Sequence, residues 1–197
     1  MQASAFSSSA KMINNKTGVM QSKKLLAGLG LLTAMMFASN WNADTANAKI
    51  SFSVKGPFGT VHGSLSGLKA TIQFDEKSPS GGSFSASVDP NTISTGIGMR
   101  NHDLKNEEIW LNTKKFPEIS FHSKKIEKTE KGFKAIGELT MKGITKPVEI
   151  PFTFSGNGSS CVFKGEFTIN REEYNVGKKG GSVGNIITIS LEVPAKK

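Results

Sequence analysis

The residues of this chain best suited to chemistry are His62, His102, His122, Cys161, the pair Glu107-Glu108 and a basic glycine-rich loop, Val176–Gly184. A metal centre needs three or four converging donors, and no two of the histidines share a ligand spacing on one face. His62 follows Val61 and His122 follows Phe121, so both are expected to face outward. Serine is plentiful, but no G-x-S-x-G turn presents one as a nucleophile. Adjacent glutamates point apart on a helix; Glu107 and Glu108 are expected in a first turn capped by Asn106, where their charge opposes the helix dipole. The loop VGKKGGSVG lacks the G-K-[ST] ending of a phosphate cradle and precedes a strand. It reads as a flexible hairpin loop whose Lys178 and Lys179 are placed to meet an anionic head group. Cys161 beside Phe163 reads as a small buried apolar residue. Its lack of a partner leaves a link between two chains, and with it a homodimer, open. No catalytic residue and no metal site is expected.

The elements around these residues are strands. Ile50, Phe52 and Val54 alternate with polar neighbours, as do Val61, Gly63 and Leu65, then Ala70, Ile72 and Phe74, then Phe84, Ala86 and Val88. Ile119, Phe121 and Ser123 follow, before a lysine-rich turn ending at Gly132. Phe133 to Met141 comes next, and Gly143–Pro147 turns the chain into Val148, Ile150, Phe152 and Phe154. Gly156-Asn157-Gly158 is a hairpin signal. Cys161 to Ile169 and Ile187 to Val193 complete the set. Seven or eight such strands without a long helix mean an antiparallel sandwich or barrel. Their length favours closure, which leaves no edge exposed and at about 3.3 Å per residue makes a barrel roughly 30 Å tall. Phe recurs inward at 52, 74, 84, 121, 152, 154, 163 and 167, interleaved with Gly63, Ala86, Ala135, Gly137 and Gly165. Small residues among large ones either interdigitate or leave room for a guest, and both readings stand at this level.

One stretch breaks the period. Between Ile93 and Ser123 lie Arg100, Asn101, Trp110 and two of the histidines. Long non-strand inserts in all-β chains usually carry a task, and Gly96 to Pro117 is expected to close one end of the barrel.

The N-terminus has its own signature. Lys23 and Lys24 precede fourteen mostly apolar residues, Leu25–Ala38, short of the roughly 20 needed to span a bilayer and typical of a secretory signal. Met20 is an alternative start. A mitochondrial presequence competes for Met1–Lys24, which lacks acids but also lacks arginine. The small-x-small run Ala46-Asn47-Ala48 allows a cut as late as residue 48, against one near Ala38. The expected organisation is a leader over 1–38 and one domain over 39–197, exported to the bacterial periplasm or beyond. Losing Lys11, Lys16, Lys23 and Lys24 reduces the formal +9 to 21 basic against 16 acidic residues. Only Arg100 and Arg171 are arginine, and the lysines are scattered among glutamates, which argues against nucleic acid and leaves room for transient contact with a membrane surface.

Several runs in order resemble the YceI-like family of exported, lipocalin-like polyisoprenoid-binding proteins. They are Phe52-Ser-Val-Lys55 with Gly59-Thr-Val-His-Gly63, Ile93-Ser-Thr95 with Arg100-Asn101 and Leu104, and Phe116–Ser123 (FPEISFHS). Gly137–Val148 (GELTMKGITKPV) and Ile169-Asn-Arg171 follow. The family's opening W-x-I-D-x-x-H-S-x-I-x-F lines up with Trp41–Phe52, which puts Trp41 in the first strand and the cut near Ala38. Two departures stand out: Gly56 replaces a histidine, and Asp103 stands where R-[DN]-x-H-L has one, with His102 a residue early. The resemblance implies an all-β, eight-stranded antiparallel lipocalin-like barrel with a short helical insert closing one end. It further implies a long-chain apolar lipid as partner, with a bound isoprenoid or quinone the only cofactor-like group. Phe52, Phe74, Phe84, Phe121, Phe152, Phe154, Phe163 and Phe167 would contact the tail. Arg100, Asn101, Trp110 and Lys178 would sit at the polar end. An enzyme working in the same cavity would show converging polar groups with shifted pKa values; a stress or adhesion scaffold would show a filled, dry interior.

Overall fold

Alternation of β-branched and aromatic residues with serine, threonine and lysine produces the strands of the computed structural model, which describes residues 39–197. The leader, its apolar run Leu25–Ala38 and the alternative start at Met20 lie outside the described residues. The strands are β1 (Asn40–Ala43), β2 (Lys49–Gly56), β3 (Gly59–Leu65), β4 (Lys69–Gln73), β5 (Ser83–Val88), β6 (Ile119–Thr129), β7 (Gly132–Met141), β8 (Ile144–Gly156), β9 (Ser160–Asn170) and β10 (Ile186–Lys196). One α-helix, α1 (Gly98–Asn106), lies between β5 and β6.

All pairings between neighbouring strands are antiparallel. β10 pairs with β2 from Ile187↔Val54 to Glu192↔Lys49 and with β1 at Asn42↔Lys196 and Ala43↔Ala195. β1 and β2 are therefore one strand interrupted at Asp44–Asn47, and β3 and β4 are likewise one strand interrupted near Gly67 (φ 74). Counted so, eight antiparallel strands close a barrel. Trp41 does belong to the first strand, but a turn separates it from Phe52. The Asp44 carboxylate holds that turn by accepting from the backbone N–H (3.3 Å) and side-chain amide (2.9 Å) of Asn47. The amide keeps the Asp44 carboxyl below its ordinary pKa.

Three local expectations need correction. β6 does not end at Ser123: a bulge between Ser123 and Lys125 shifts the register, and the strand runs to Thr129. The bulge changes which residues point inward, so Ile126 is fully buried within a stretch that looks polar. The turn after β7 is only Lys142-Gly143, both with positive φ (51° and 74°), and Thr145 to Pro147 already belong to β8. Finally, Glu107 and Glu108 follow α1 rather than open it. Glu107 is its C-cap, and Ile97, which makes no side-chain cap, stands at the N-terminus.

The barrel's interior differs between its ends. At the end formed by β1, the close of β4, the starts of β5, β7 and β9 and the close of β8, Phe74 is completely buried. Its ring lies 5.0 Å from Phe133, 5.2 Å from Phe154, 5.5 Å from Phe152 and 6.0 Å from Phe84. Trp41 closes the cluster edge-on to Phe154 at 5.4 Å, and its indole N–H donates to the Phe74 carbonyl at 2.9 Å. The pairs Phe74–Phe133, Phe74–Phe152 and Trp41–Phe154 are edge-to-face, a favoured aromatic arrangement. Cys161 is buried at this end, as expected, and burial raises its thiol pKa to about 11.

Candidate functional site

Beyond the aromatic plug the interior is hollow. A cavity of about 920 Å³ occupies the other half of the barrel. Its walls are inward residues of the strands, among them Val54, Ala86, Leu139, Ile150, Ile189 and Leu191. Gly63 and Gly137 explain part of the space. A Cβ on Gly63 would collide with the Phe52 ring, and one on Gly137 would meet the Phe121 ring at 2.8 Å. Both rings therefore lie against glycine backbone on the wall and do not cross the lumen. Ala86, Ala135 and Gly165 border the cavity directly.

The insert after β5 roofs this space. α1 buries none of its own residues, so its place is set by flanking anchors rather than by an apolar face. The Asn101 carboxamide oxygen accepts from the Thr95 N–H (2.8 Å) and hydroxyl (2.7 Å), fixing the approach to the helix. Past the helix, Leu111 N–H donates to the Leu104 carbonyl and Thr113 N–H to that of Lys105, folding the chain back. Lys142, in the β7–β8 turn, donates to the carbonyls of Glu108 (2.7 Å), Ile109 (3.1 Å) and Asn175 (2.7 Å). Burial of the ammonium lowers its pKa.

A second roof segment, Arg171 to Gly184, is held by one buried guanidinium. Arg171 Nε donates to the Gly184 carbonyl (2.8 Å), Nη1 to Val176 (2.7 Å) and Nη2 to Val183 (2.7 Å), with Lys178 at 3.3 Å. Glu172 lies 3.7 Å away and accepts from the Gly180 N–H. The glycine-rich loop is thus wrapped around an arginine, not an unsupported hairpin. Gly177 (φ 75°) joins the two roof segments: its N–H donates to the Ile109 carbonyl at 2.7 Å, and a Cβ there would meet Trp110 at 2.5 Å.

The expected contact residues separate into three groups. Phe52, Phe84, Phe121, Phe152, Phe163, Phe167, Trp110 and Arg100 border the cavity. Phe74 and Phe154 belong to the plug. Asn101 is committed to Thr95, and Lys178 is exposed away from the cavity with only its carbonyl engaged by Arg171. Arg100 makes no side-chain hydrogen bond or ion pair among the described residues and is half-buried at the rim. Arg171, absent from the expected contacts, is the residue sequence reasoning missed. A lone arginine ending a strand before a glycine-rich loop was its signal. Asp103 is the carboxylate at the cavity border, and its neighbour is the His102 ring at 3.5 Å. His62 and His122 are exposed, His122 Nδ1 standing 3.1 Å from the Ser85 hydroxyl.

What such a site can do follows from its walls. Hydrocarbon and aromatic surfaces take up apolar area without directional demands, at about 25 cal/mol per Å². One cation at the rim can orient a polar end. An interior of about 920 Å³ lies at the large end of small-molecule pockets and suits a single guest, as eight-stranded barrels do.

Comparison with known proteins agrees with this architecture. The family model described as "YceI-like domain" matches residues 41–195. A UPF0312 protein of Yersinia enterocolitica is 27% identical over 154 residues, covering 75% of this chain and 80% of that protein. One from Yersinia pestis is 27% identical over 185 residues, covering 86% and 95%. Among solved structures, BcnA of Burkholderia cenocepacia superposes with a TM-score of 0.73 at 27% identity, covering 79% of this chain and all of that one. A polyisoprenoid binding domain from Saccharophagus degradans, implicated in plant cell wall breakdown, shares the fold at a TM-score of 0.62 and 9% identity, covering 81% and 98%.

Proposed function

Because the chain belongs to the YceI-like family, whose model spans residues 41–195, we propose that it is an exported binding protein that carries or stores one long-chain apolar lipid of isoprenoid type. The observation that carries this reading is the roofed apolar cavity of about 920 Å³. The Saccharophagus degradans fold relative, a polyisoprenoid binding domain, supports the chemical class. The guest's tail lies among Phe52, Phe121 and Phe167, and its polar end reaches the rim at Arg100. Since the plug fills one end of a barrel roughly 30 Å tall, a long tail must fold back or leave part of its length at the mouth. A catalytic role would want an acid and a base converging on the lumen, and Asp103, paired with His102 at the rim, is a poor start for one.

Native mass spectrometry and lipid extraction of protein purified from its own host test this reading. One isoprenoid-type lipid per chain is expected. Lipid-free protein together with a crystal structure whose interior is filled by side chains would defeat it. Export through a leader cut near Ala38 is part of the same proposal, because a cut at Lys49 would remove β1 and Trp41. N-terminal sequencing of the secreted chain checks it, and a Lys49 start would be the contrary result.

A further inference from the structure

Three large apolar side chains stand in water at the rim of the cavity. Phe58, at the tip of the β2–β3 hairpin, is 102% exposed, Met99 78% and Ile97 49%. All three also border the cavity, so the apolar lining continues outward onto the surface. Scattered exposed apolar residues need no explanation, but a group of them around the opening of an apolar cavity does.

Unpaired lysines stand beside them. Lys55 lies three residues before Phe58, and its carbonyl accepts from the Gly184 N–H at 2.7 Å, which draws the loop carrying Lys178 and Lys179 to the same end of the barrel. Lys55, Lys178 and Lys179 are exposed and pair with no carboxylate among the described residues. Of the carboxylates in the roof segments, Glu172 is engaged by the Gly180 N–H and Arg171 and Asp103 lies 3.5 Å from the His102 ring, while Glu107, Glu108 and Glu173 are exposed.

From this we infer that the rim is a docking surface for an anionic lipid bilayer, with Phe58, Ile97 and Met99 entering the interfacial region and the lysines facing head groups. Aromatic and aliphatic side chains backed by unpaired cations are the combination that holds a protein at an anionic interface. A second copy of the chain fits less well, since a two-fold contact through this patch would set the same lysines against one another. Docking brings the cavity mouth against the acyl region, so a lipid can pass between bilayer and barrel with its tail out of water throughout. The docking stands on the rim's own geometry; what is exchanged rests on the carrier reading above.

Flotation of the lipid-stripped mature chain with vesicles tests the inference, using phosphatidylcholine alone and phosphatidylcholine mixed with phosphatidylglycerol. Binding to the mixed vesicles, weakened by salt, is expected. Phe58→Ser with Met99→Ser should reduce it about tenfold, and Lys55→Gln with Lys179→Gln about 25-fold, at about fivefold per lysine. The lysine pair should leave uptake of a monomeric fluorescent prenyl alcohol unchanged. No binding of the parent chain to mixed vesicles overturns the docking surface. So does undiminished binding by both double variants, or light scattering showing a dimer that Phe58→Ser with Met99→Ser dissolves. Vesicle binding without prenyl uptake would instead refute the carrier reading and leave the docking intact.

Discussion

The two halves of the barrel are built from the same inward pattern, large apolar residues alternating with polar ones, yet one is solid and the other hollow. The difference lies in what stands opposite each ring. At the plugged end, rings from β1, β4, β5, β7, β8 and β9 project to the axis and meet around Phe74. At the open end Phe52 and Phe121 lie over Gly63 and Gly137, and the axis stays free. A glycine across or beside a phenylalanine lets the ring lie down on the sheet. The plug is a device for stability and the cavity one for binding, and substitutions should separate them.

The largest effect is expected in the plug. Phe74→Ala should lower unfolding stability in urea by about 3–5 kcal/mol, the range for a fully buried aromatic, with little change in prenyl uptake per folded molecule. Filling the hollow half should do the reverse: Ala86→Phe should abolish or strongly reduce lipid uptake at a stability cost below that of Phe74→Ala. Equal costs in a urea titration would mean that the second half is as tightly packed as the first. An alkaline pH series offers a finer contrast. Cys161, near the plug, keeps its proton up to about pH 11 when folded, against an ordinary value of 9.0. Its contribution is therefore intact below pH 9 and lost as pH rises from 9 to 11. Cys161→Ala should flatten that limb of the stability profile. Tyr174, by the Arg171 loop, has its pKa pushed up to about 12 by desolvation and then Glu173, and its hydroxyl is buried without a hydrogen-bond partner. Tyr174→Phe should thus be neutral or stabilising by up to about 1 kcal/mol in the same titration. The smallest effect belongs to the rim: Arg100→Ala should shift head-group preference a few-fold while tail affinity barely changes. Competition between prenyl alcohol and prenyl phosphate measures both.

Much of the fold could be read from the chain because sheets write their burial with period two. β7, β9 and the part of β8 from Val148 to Phe154 follow their patterns residue by residue. Legibility failed where the period slips. The β6 bulge moves Ile126 to the inner face from a lysine-rich run that looked like a turn. The polar turn after Ala43 hides the continuity of β1 with β2. Glu107 and Glu108 looked suited to the start of a helix, but α1 is anchored by its surroundings, so local preference did not set its limits. The candidate site was half legible. Inward phenylalanines could be named, but Phe52 and Phe74 look alike in sequence, and only their cross-strand neighbours make one a wall and the other a plug. The charge of Lys178 is visible in the sequence; that Arg171 holds its carbonyl is not.

The seam of the barrel sets a timetable. β10 completes pairing with β9, β2 and β1 at once, and Asn42↔Lys196 and Ala43↔Ala195 join the two extremes of the domain. Contacts so distant along the chain form late and slowly. The container therefore cannot close until its last strand has emerged. For the export proposed above, this order means that no sealed barrel can form on the wrong side while the C-terminal strand is still missing.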